Sequence, residues 1–484
     1  MKTRQVGLWI ALGLSAAGCA NELEASPLVA ASTSTLTAAG IDLIAIGQLD
    51  ANGGDKATQT AGALENGLPG NLLGGVGSGL THAHGNTFLA TPDRGPNATA
   101  YNSAIDDTTS YIPRFHTLKL KLKPNSAEAA LPYSLTTKLK KTTLLWDRSP
   151  LTYASNGAPS LNDKRTFYFS GRSDNFDPSL PSTHPLNGRF DPENIRVPND
   201  GKHVFIADEY GPYVYQFDRH SGRRVRTFTL PSEFAVSHLN SKGDTEISGN
   251  SVGRVANKGM EGLAISPDGT TLIGAMQSPL AQDGGTNGRY LRIVSIEIAT
   301  GAIEQFAYSL TNIGTETKPK YPSVSEITAI NDHELLVDER DGKGLGDDST
   351  AVFKQIFHID ISSGQDVSGI SGEANLASRA LTKTLFVDLV AQLNAHGIAS
   401  NDIPAKLEGI TFGPDVTVGG ALKHTLFVSN DNDFLPTITD SKHPDGISNP
   451  NQFFVFAVAP AALPGLTQQA VAGSDDDGSD DDDL

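Results

Sequence analysis

The sequence predicts an all-β fold, a single propeller carrying loop and short-helix insertions, on two grounds: a phrase that recurs along the chain and a composition suited to short strands. The phrase is a glutamate, a small residue and an aliphatic, then a turn, then a β-run that often closes in acid. It reads Glu193-Asn194-Ile195 before Val204-Phe205-Ile206-Ala207-Asp208-Glu209, and Glu261-Gly262-Leu263 before Leu272-Ile273-Gly274-Ala275. It returns as Glu326-Ile327 before Leu335-Leu336-Val337-Asp338-Glu339, and as Glu408-Gly409-Ile410 before Leu426-Phe427-Val428-Ser429-Asn430-Asp431. A looser copy, Ser78-Gly79-Leu80, precedes Phe88-Leu89-Ala90-Thr91-Pro92-Asp93-Arg94-Gly95. One supersecondary unit used several times in an all-β setting closes as a propeller, with equivalent residues facing one axis. The 49 Gly, 27 Pro and 38% apolar fraction of these 484 residues suit strands joined by turns rather than long helices.

From the N-terminus, residues 1–18 read as an export signal: Lys2 and Arg4, an apolar run from Val6 to Leu14 too short to span a bilayer, then small residues. Ala16-Ala17-Gly18-Cys19 resembles a bacterial lipobox, with Ala16 where that pattern prefers Leu. The resemblance implies cleavage before Cys19, the only cysteine, and lipid on its sulfur. The alternative is an ordinary secretory signal with an incidental thiol. Residues 19–38 form a polar tether, and 39–465 form the propeller. The alternation in Ile41-Asp42-Leu43-Ile44-Ala45-Ile46 predicts its first strand. Gly67 to Gly79 lacks Gly-Lys-Ser/Thr and is loop, not a phosphate cradle.

His116 to Leu122 alternates strictly and predicts an outer strand with a solvated lysine face. Leu381, Leu385, Leu389 and Leu393 predict one face of a packing helix that Gly397 ends. The glutamates stand at 193, 261, 326 and 408, too far apart for bare four-stranded blades, so each blade carries insertions. Phe453-Phe454-Val455-Phe456 is expected as the last strand, closing the ring against the N-terminal one. Residues 466–484 read as a disordered acidic tail.

The formal charge is -18, and seven acids lie between Asp475 and Asp483, yet the body stays acidic without them. Nucleic acid is excluded as a partner, because phosphate backbones need clustered Lys and Arg. Divalent cations suit the acids. In a propeller the first strand of each blade begins at one rim and the second returns there. That places Glu193 near Asp208 and Glu209, Glu326 near Asp338, Glu339 and Asp341, and Glu408 near Asp431. Carboxylates within about 4 Å repel by roughly 1 to 4 kcal/mol per pair, so protons or a cation must offset them. Hard oxygen ligands in a cell envelope point to calcium. Arg189, Lys258, Lys406, Arg94 and Arg340 stand beside these acids and suit an anionic substrate. Any single glutamate has an alternative role, pairing with a neighbouring base or capping amides to lock blades together.

No Gly-x-Ser-x-Gly elbow, Cys-x-x-Cys pair or His-Glu-x-x-His is present, which removes α/β-hydrolases and the common zinc signatures. His82 and His84 share a strand face but read as surface or packed side chains.

Six stretches carry a family resemblance: 189–195, 207–213, 258–269, 275–280, 339–342 and 406–410. With Arg189-Phe190-Asp191-Pro192-Glu193 and Lys258-Gly259-Met260-Glu261-Gly262 among them, they resemble the phytase-like domain described as having esterase-like activity, in order from about Gly79 to Phe456. The resemblance implies six blades, calcium, and hydrolysis of a small anionic ester, as in the distantly related β-propeller phytases. It also implies that Glu193 and Glu209 form a calcium pair. Met276 and Gln277 replace the acids in one copy, and Ser78 replaces the glutamate in another.

The resulting expectation is a monomeric lipoprotein of the bacterial envelope, at the outer membrane or secreted, that binds the membrane through Cys19. Glu193, Glu261, Glu408, Arg94, Arg340 and Lys406 are the candidate catalytic residues. Glu193, Asp208, Glu209, Glu326, Glu339, Asp341, Glu408 and Asp431 are the candidate calcium ligands. A non-catalytic scaffold and a lactonase-like hydrolase are the alternatives, because propellers host many functions.

Overall fold

The structure is a computed structural model that describes residues 40–473. The expected signal, Cys19 and tether lie outside those residues, as does the acidic run from Asp475. The described chain builds five sheets of three to five strands, mainly antiparallel, in sequence order around one axis, with two two-stranded ribbons beside them. Blade 1 is Gly79–His84, Thr87–Thr91, Arg114–Pro124 and Tyr133–Leu144. Blade 2 begins with residues 192–196, which bridge to His203–Asp208, and continues through Tyr213–Asp218 and Arg224–Thr229. Blade 3 is Met260–Ile265, Thr271–Met276, Tyr290–Glu297 and Ile303–Ser309, with Ala380–Leu381 added in parallel at its edge. Blade 4 is Ser323–Ala329, Glu334–Arg340, Lys354–Asp360 and Lys383–Asp388. Blade 5 is Lys406–Val418, Ala421–Asp431 and Asn451–Val458, completed by the N-terminal strand Ile41–Leu49.

The closure between Phe453–Phe456 and the N-terminal strand is as the sequence indicates, with Leu43 opposite Phe456 and Ile46 opposite Phe454. Five blades stand where six were expected. The stretch after Leu144 supplies only a ribbon of Trp146–Asp147 with Phe167–Tyr168, so no further sheet enters the ring there.

Each blade packs on the next through an apolar layer. Phe88 and Leu118 meet Phe427 and Val455, Leu89 and Phe115 meet Ile195 and Val204, and Phe205 and Ala207 meet Leu263 and Leu272. Ile273 and Ala264 meet Ile327 and Leu335, and Leu336 and Ile356 meet Ile410 and Leu426. Buried side chains of this size each contribute about 1.5–3 kcal/mol, so the ring gains from every interface only once it is closed.

Three expectations need correction. His116–Leu122 lies within Arg114–Pro124, the third of four strands, so it is not an edge; buried Leu118 and Leu120 do alternate with half-buried Lys119 and Lys121. Leu381 and Leu385 sit on strands, and the helix covers only Leu389–Ala395. A spacing of four is even, so a strand face satisfies it as well as a helix face does. Asp388 caps that helix by accepting from Ala391 N at 2.9 Å, and Gly397 at φ +82° ends it. Finally, residues 466–472 are not part of a free tail. Thr467 N donates to Ile330 O at 2.8 Å, Gln469 Nε2 to Val197 O at 2.8 Å, and Ala472 N to Asn199 O at 3.0 Å, which straps the segment across blades 4 and 2.

The axis itself is filled by Arg196. Its Nη1 donates to Leu80 O at 2.8 Å and Ile195 O at 2.7 Å, and its Nη2 donates to Ile327 O at 2.7 Å. Nη2 also lies 3.0 Å from Glu326 Oε2. One guanidinium thus ties the innermost strands of blades 1, 2 and 4, which is work for a planar fork of donors. Replacing Arg196 by Met removes that partner from those buried carbonyls and from Glu326 Oε2, while Glu326 Oε1 keeps its backbone donors. The expected loss is about 3–5 kcal/mol in urea unfolding, partly recovered by adding Glu326→Gln; a loss below about 1 kcal/mol would show that the axial contact is not a structural tie.

Candidate functional site

The site is made by β-bulges at the start of the innermost strands. In blade 3, Met260 pairs with Met276 and Gly262 with Ala275, so Glu261 is the extra residue. In blade 4, Val324 pairs with Glu339 and Glu326 with Asp338, which makes Ser325 the extra residue. In blade 5, Leu407 pairs with Asn430 and Ile410 with Val428, leaving Glu408 and Gly409 in the irregular step. Blade 2 has the same irregularity between the Pro192–Asp208 and Arg196–Phe205 bridges, and it contains Glu193. A bulge bends the strand and re-aims the side chain, here toward the mouth of the ring. The facing strand ends are Asp93, Glu209, Gln277, Arg340 and Asp431.

Together these positions enclose a cavity of about 330 Å³. Glu193, Glu209, Glu261, Glu408, Arg94, Arg340 and Lys406 of the expected set all line it, joined by Asp93, Lys258, Gln277, Ser323 and Asp433. Asp431 lies directly behind, accepting from Lys406 Nζ at 2.7 Å, and Lys406 also pairs with Asp433.

Four candidates stand elsewhere. Glu326 and Glu339 belong to blade 4, whose phrase is shifted by one residue, so Arg340, held by Ser325 Oγ, takes the cavity position and the acids turn to the other face. Glu326 faces Arg196 in the axis and accepts from Leu263 N at 2.9 Å. Glu339 is held by Lys383 and Tyr308 and accepts from Thr311 N at 3.1 Å. Asp208 precedes the strand end by one residue and accepts from Asp191 N and Tyr210 N at 3.1 and 2.9 Å. Asp341 shapes its own loop, accepting from Phe353 N at 3.1 Å and Lys354 Nζ at 3.2 Å.

Asp191 was not among the sequence candidates, although Asp191-Pro192-Glu193 places two acids two residues apart, a strand spacing that shares one face. Its Oδ2 accepts from Arg94 Nη1 at 2.6 Å, and Glu209 Oε2 lies 3.7 Å from the same nitrogen. One carboxylate oxygen from each of Asp191, Glu193 and Glu209 falls within 4.8 Å of the others. Glu193 accepts no hydrogen bond among the described residues, and Glu261 Oε2 has no partner either. Glu261 Oε1 accepts from Gln277 Nε2 at 2.7 Å, and Gln277 Oε1 accepts from Lys258 Nζ at 3.2 Å. Arg340 pairs with Glu408 and donates through Nε to Ser325 Oγ at 2.7 Å.

Burial pushes Glu193 well up, reinforced by Glu261, Asp191 and Glu209. Burial does the same to Glu261, with Glu209 and Glu408 adding to it. Glu209 is pushed up to about 8 by burial and Asp191, against the pull of Arg94. Burial and Asp431 raise Asp93. Lys406 moves up although burial opposes it, because Asp431 and Asp433 hold its charge. The cavity is therefore a store of carboxylates whose ionised forms compete with one another.

These features match a known family. A family model described as phytase-like, esterase-like activity of phytase, matches residues 71–434. The chain belongs to the phytase-like family. An uncharacterized secreted protein of Arthroderma benhamiae is 33% identical over 159 residues, 29% of this chain and 30% of the relative, so the match spans less than a third of that protein. Among solved structures, the periplasmic gluconolactonase PpgL of Pseudomonas aeruginosa is similar at a TM-score of 0.30 and 12% identity, covering 78% of this chain and 88% of that one. The β-propeller domain of Cps50 (Swd1) from Myceliophteria thermophila is similar at a TM-score of 0.22 and 11% identity, covering 49% and 51%. No helix among the described residues is long and apolar enough to cross a membrane.

A group whose folded pKa is raised adds stability below its unfolded pKa and loses it as pH rises through the folded one. Glu209, with an unfolded value near 4.5 and a folded one of about 8, sets the window. In chelator, the urea midpoint is expected to fall between pH 5 and pH 8, with a shallower fall for Glu193→Gln with Glu261→Gln. A flat or rising midpoint would contradict the shared burial of these acids.

Proposed function

We propose that this phytase-like propeller is an exported hydrolase of phosphate or other esters, with a calcium ion held by Asp191, Glu193 and Glu209. The observation that carries the reading is that carboxylate triad, two of whose members, Glu193 and Glu209, line one cavity with Arg94, Lys258, Arg340 and Lys406, while Asp191 is held by Arg94. The donors fit a hard divalent ion: all are carboxylate oxygens, and Glu193 accepts no hydrogen bond among the described residues. When bound, such an ion supplies charge neutralisation for the triad and Lewis acidity toward an ester oxygen.

The chain's own residues do the rest. Arg340 and Lys406 face the cavity and orient an anionic ester while stabilising the charge that develops on its oxygens. Glu261, whose Oε2 is buried without a partner among the described residues and whose pKa burial raises, takes the proton of an attacking water. The water oxygen bonds to phosphorus or acyl carbon, the ester bond breaks, and the alcohol departs with the proton that Glu261 took. Gln277 orients Glu261 through its 2.7 Å hydrogen bond.

Export rests on the N-terminal signal and on the likeness to a secreted protein of Arthroderma benhamiae. Cys19 is the proposed lipid site; Cys19→Ser is expected to move the protein from the membrane fraction to the soluble one.

The test compares hydrolysis of aryl phosphate and aryl acetate with and without calcium, for wild type, Glu193→Gln and Glu261→Gln. Calcium-dependent turnover is expected, with kcat/KM lowered roughly 10²–10⁴-fold in Glu261→Gln. Glu193→Gln should demand more calcium. A melting temperature that falls on chelation with no turnover of either ester would make the protein a scaffold.

A further inference from the structure

We propose that a single monovalent anion of halide size binds in a second, smaller cavity, which Arg189 and Arg254 line beside the larger one. The inference does not depend on the hydrolase reading. This cavity has a volume of about 40 Å³, and Arg94 lines both it and the larger one of about 330 Å³. Arg189 stands four residues before Glu193 in the sequence, yet it lines only the smaller cavity.

Two buried guanidiniums there share one carboxylate. Arg189, Arg254 and Glu246 are each only 2% exposed. Arg254 Nη2 lies 2.7 Å from Glu246 Oε1, whereas Arg189 Nη2 lies 3.8 Å from Glu246 Oε2, beyond hydrogen-bond length. Although burial opposes it, Glu246 is held below the ordinary carboxylate range, because Arg254 and Arg189 favour its charge. Burial pushes Arg189 below its ordinary range, and Arg254 adds to that push against the pull of Glu246. The neighbouring acids do not make up the difference. Asp191 matches Arg94, accepting from its Nη1 at 2.6 Å. Asp106, also on the wall, is exposed and accepts from Gly243 N at 2.6 Å. Asp208 spends Oδ1 on the Asp191 and Tyr210 amides, and its Oδ2 meets neither arginine among the described residues. One buried positive charge is left over, and an uncompensated buried charge is costly.

Donors for an anion are also in place. Arg254 gives Nε to Tyr210 O at 2.6 Å, and Arg189 gives Nη1 to Ser173 O at 3.1 Å. Arg254 Nη1, Arg189 Nη2 and Arg94 Nε are buried with no hydrogen-bond partner among the described residues. Guanidinium nitrogens only donate, so all three call for an acceptor. The hydroxyls of the wall are already engaged, Thr108 Oγ1 donating to Ile105 O at 2.7 Å and Ser173 Oγ to Ser241 O at 2.6 Å. A water molecule brings acceptors but leaves the charge unbalanced; a halide accepts from several donors and neutralises it. Size selects the same ligand, since a cavity about an eighth of the larger one's volume holds a small ion rather than an organic ester.

Crystals of the full chain soaked in sodium bromide, with diffraction recorded at the bromine absorption edge, test this. An anomalous peak is expected within hydrogen-bonding reach of Arg189 and Arg254. In solution, the melting temperature is expected to be about 2–3 °C higher in sodium chloride or bromide than in sodium gluconate, whose anion is too large for the cavity, at a matched ionic strength of about 0.1 M. Arg254→Gln should abolish that difference. Glu246→Gln removes the competing carboxylate and should lower the halide concentration giving half of the shift by at least about fivefold. A cavity without a bromide peak, equal melting temperatures in halide and gluconate, or a shift that survives in Arg254→Gln would overturn the proposal. So would a half-saturating concentration unchanged in Glu246→Gln, or a peak with no stabilisation, which marks an adventitious ion only. If Arg254→Gln does not fold, the wild-type diffraction and Glu246→Gln still decide.

Discussion

Closing five sheets on one axis removes a group of carboxylates from water, and the cost of burying like charge organises the rest of the molecule. Glu193, Glu209, Glu261, Glu408 and Asp93 are all buried around one mouth. The protein answers that cost in two ways. Outside the cavity it pairs or caps its acids locally: Glu326 with Arg196, Glu339 with Lys383, and Asp208 with two backbone amides. Inside, it supplies only part of the compensation, through Arg94, Arg340 and Lys406, and among the described residues leaves one oxygen of Glu261 without a donor. The uncompensated remainder is where ligand chemistry is most favourable.

The bulges make this asymmetry possible. A regular strand would send alternate side chains into the interface between blades, where an acid meets apolar neighbours. An extra residue lets Glu261 point to the mouth while Leu263 and Ile265 stay in the layer with Phe205 and Leu272. The same device leaves Arg196 on the inner strand of blade 2, one turn of the pleat deeper, as the tie between blades. Site and scaffold are thus written into the same few residues of each inner strand.

Much of this was legible in the sequence, because the repeat reports a structural position. The glutamates at 193, 261 and 408 and the basic residues Arg94, Arg340 and Lys406 do line one cavity. Blade 4 misleads because its phrase lacks the small residue between glutamate and aliphatic, and the missing residue changes the face on which Glu326 and Glu339 emerge. Asp191 and Asp433 escaped notice because each stands two residues from an acid already counted, a relation that matters only once the chain is known to be extended there. The blade count could not be read from spacing, since insertions of different length separate the repeats. Likewise, the leucines at 381 and 385 fit either period, and only their pairing partners decide between helix and strand.

The central claim is that acids from different blades share one mouth and compete for protons, so that a divalent cation must displace protons to enter. Titration calorimetry of calcium binding at pH 7.5, repeated in buffers of different ionisation enthalpy, measures this directly. The account predicts binding with net proton release that diminishes in Glu209→Gln. Binding with no proton release, or no binding at all, would contradict it.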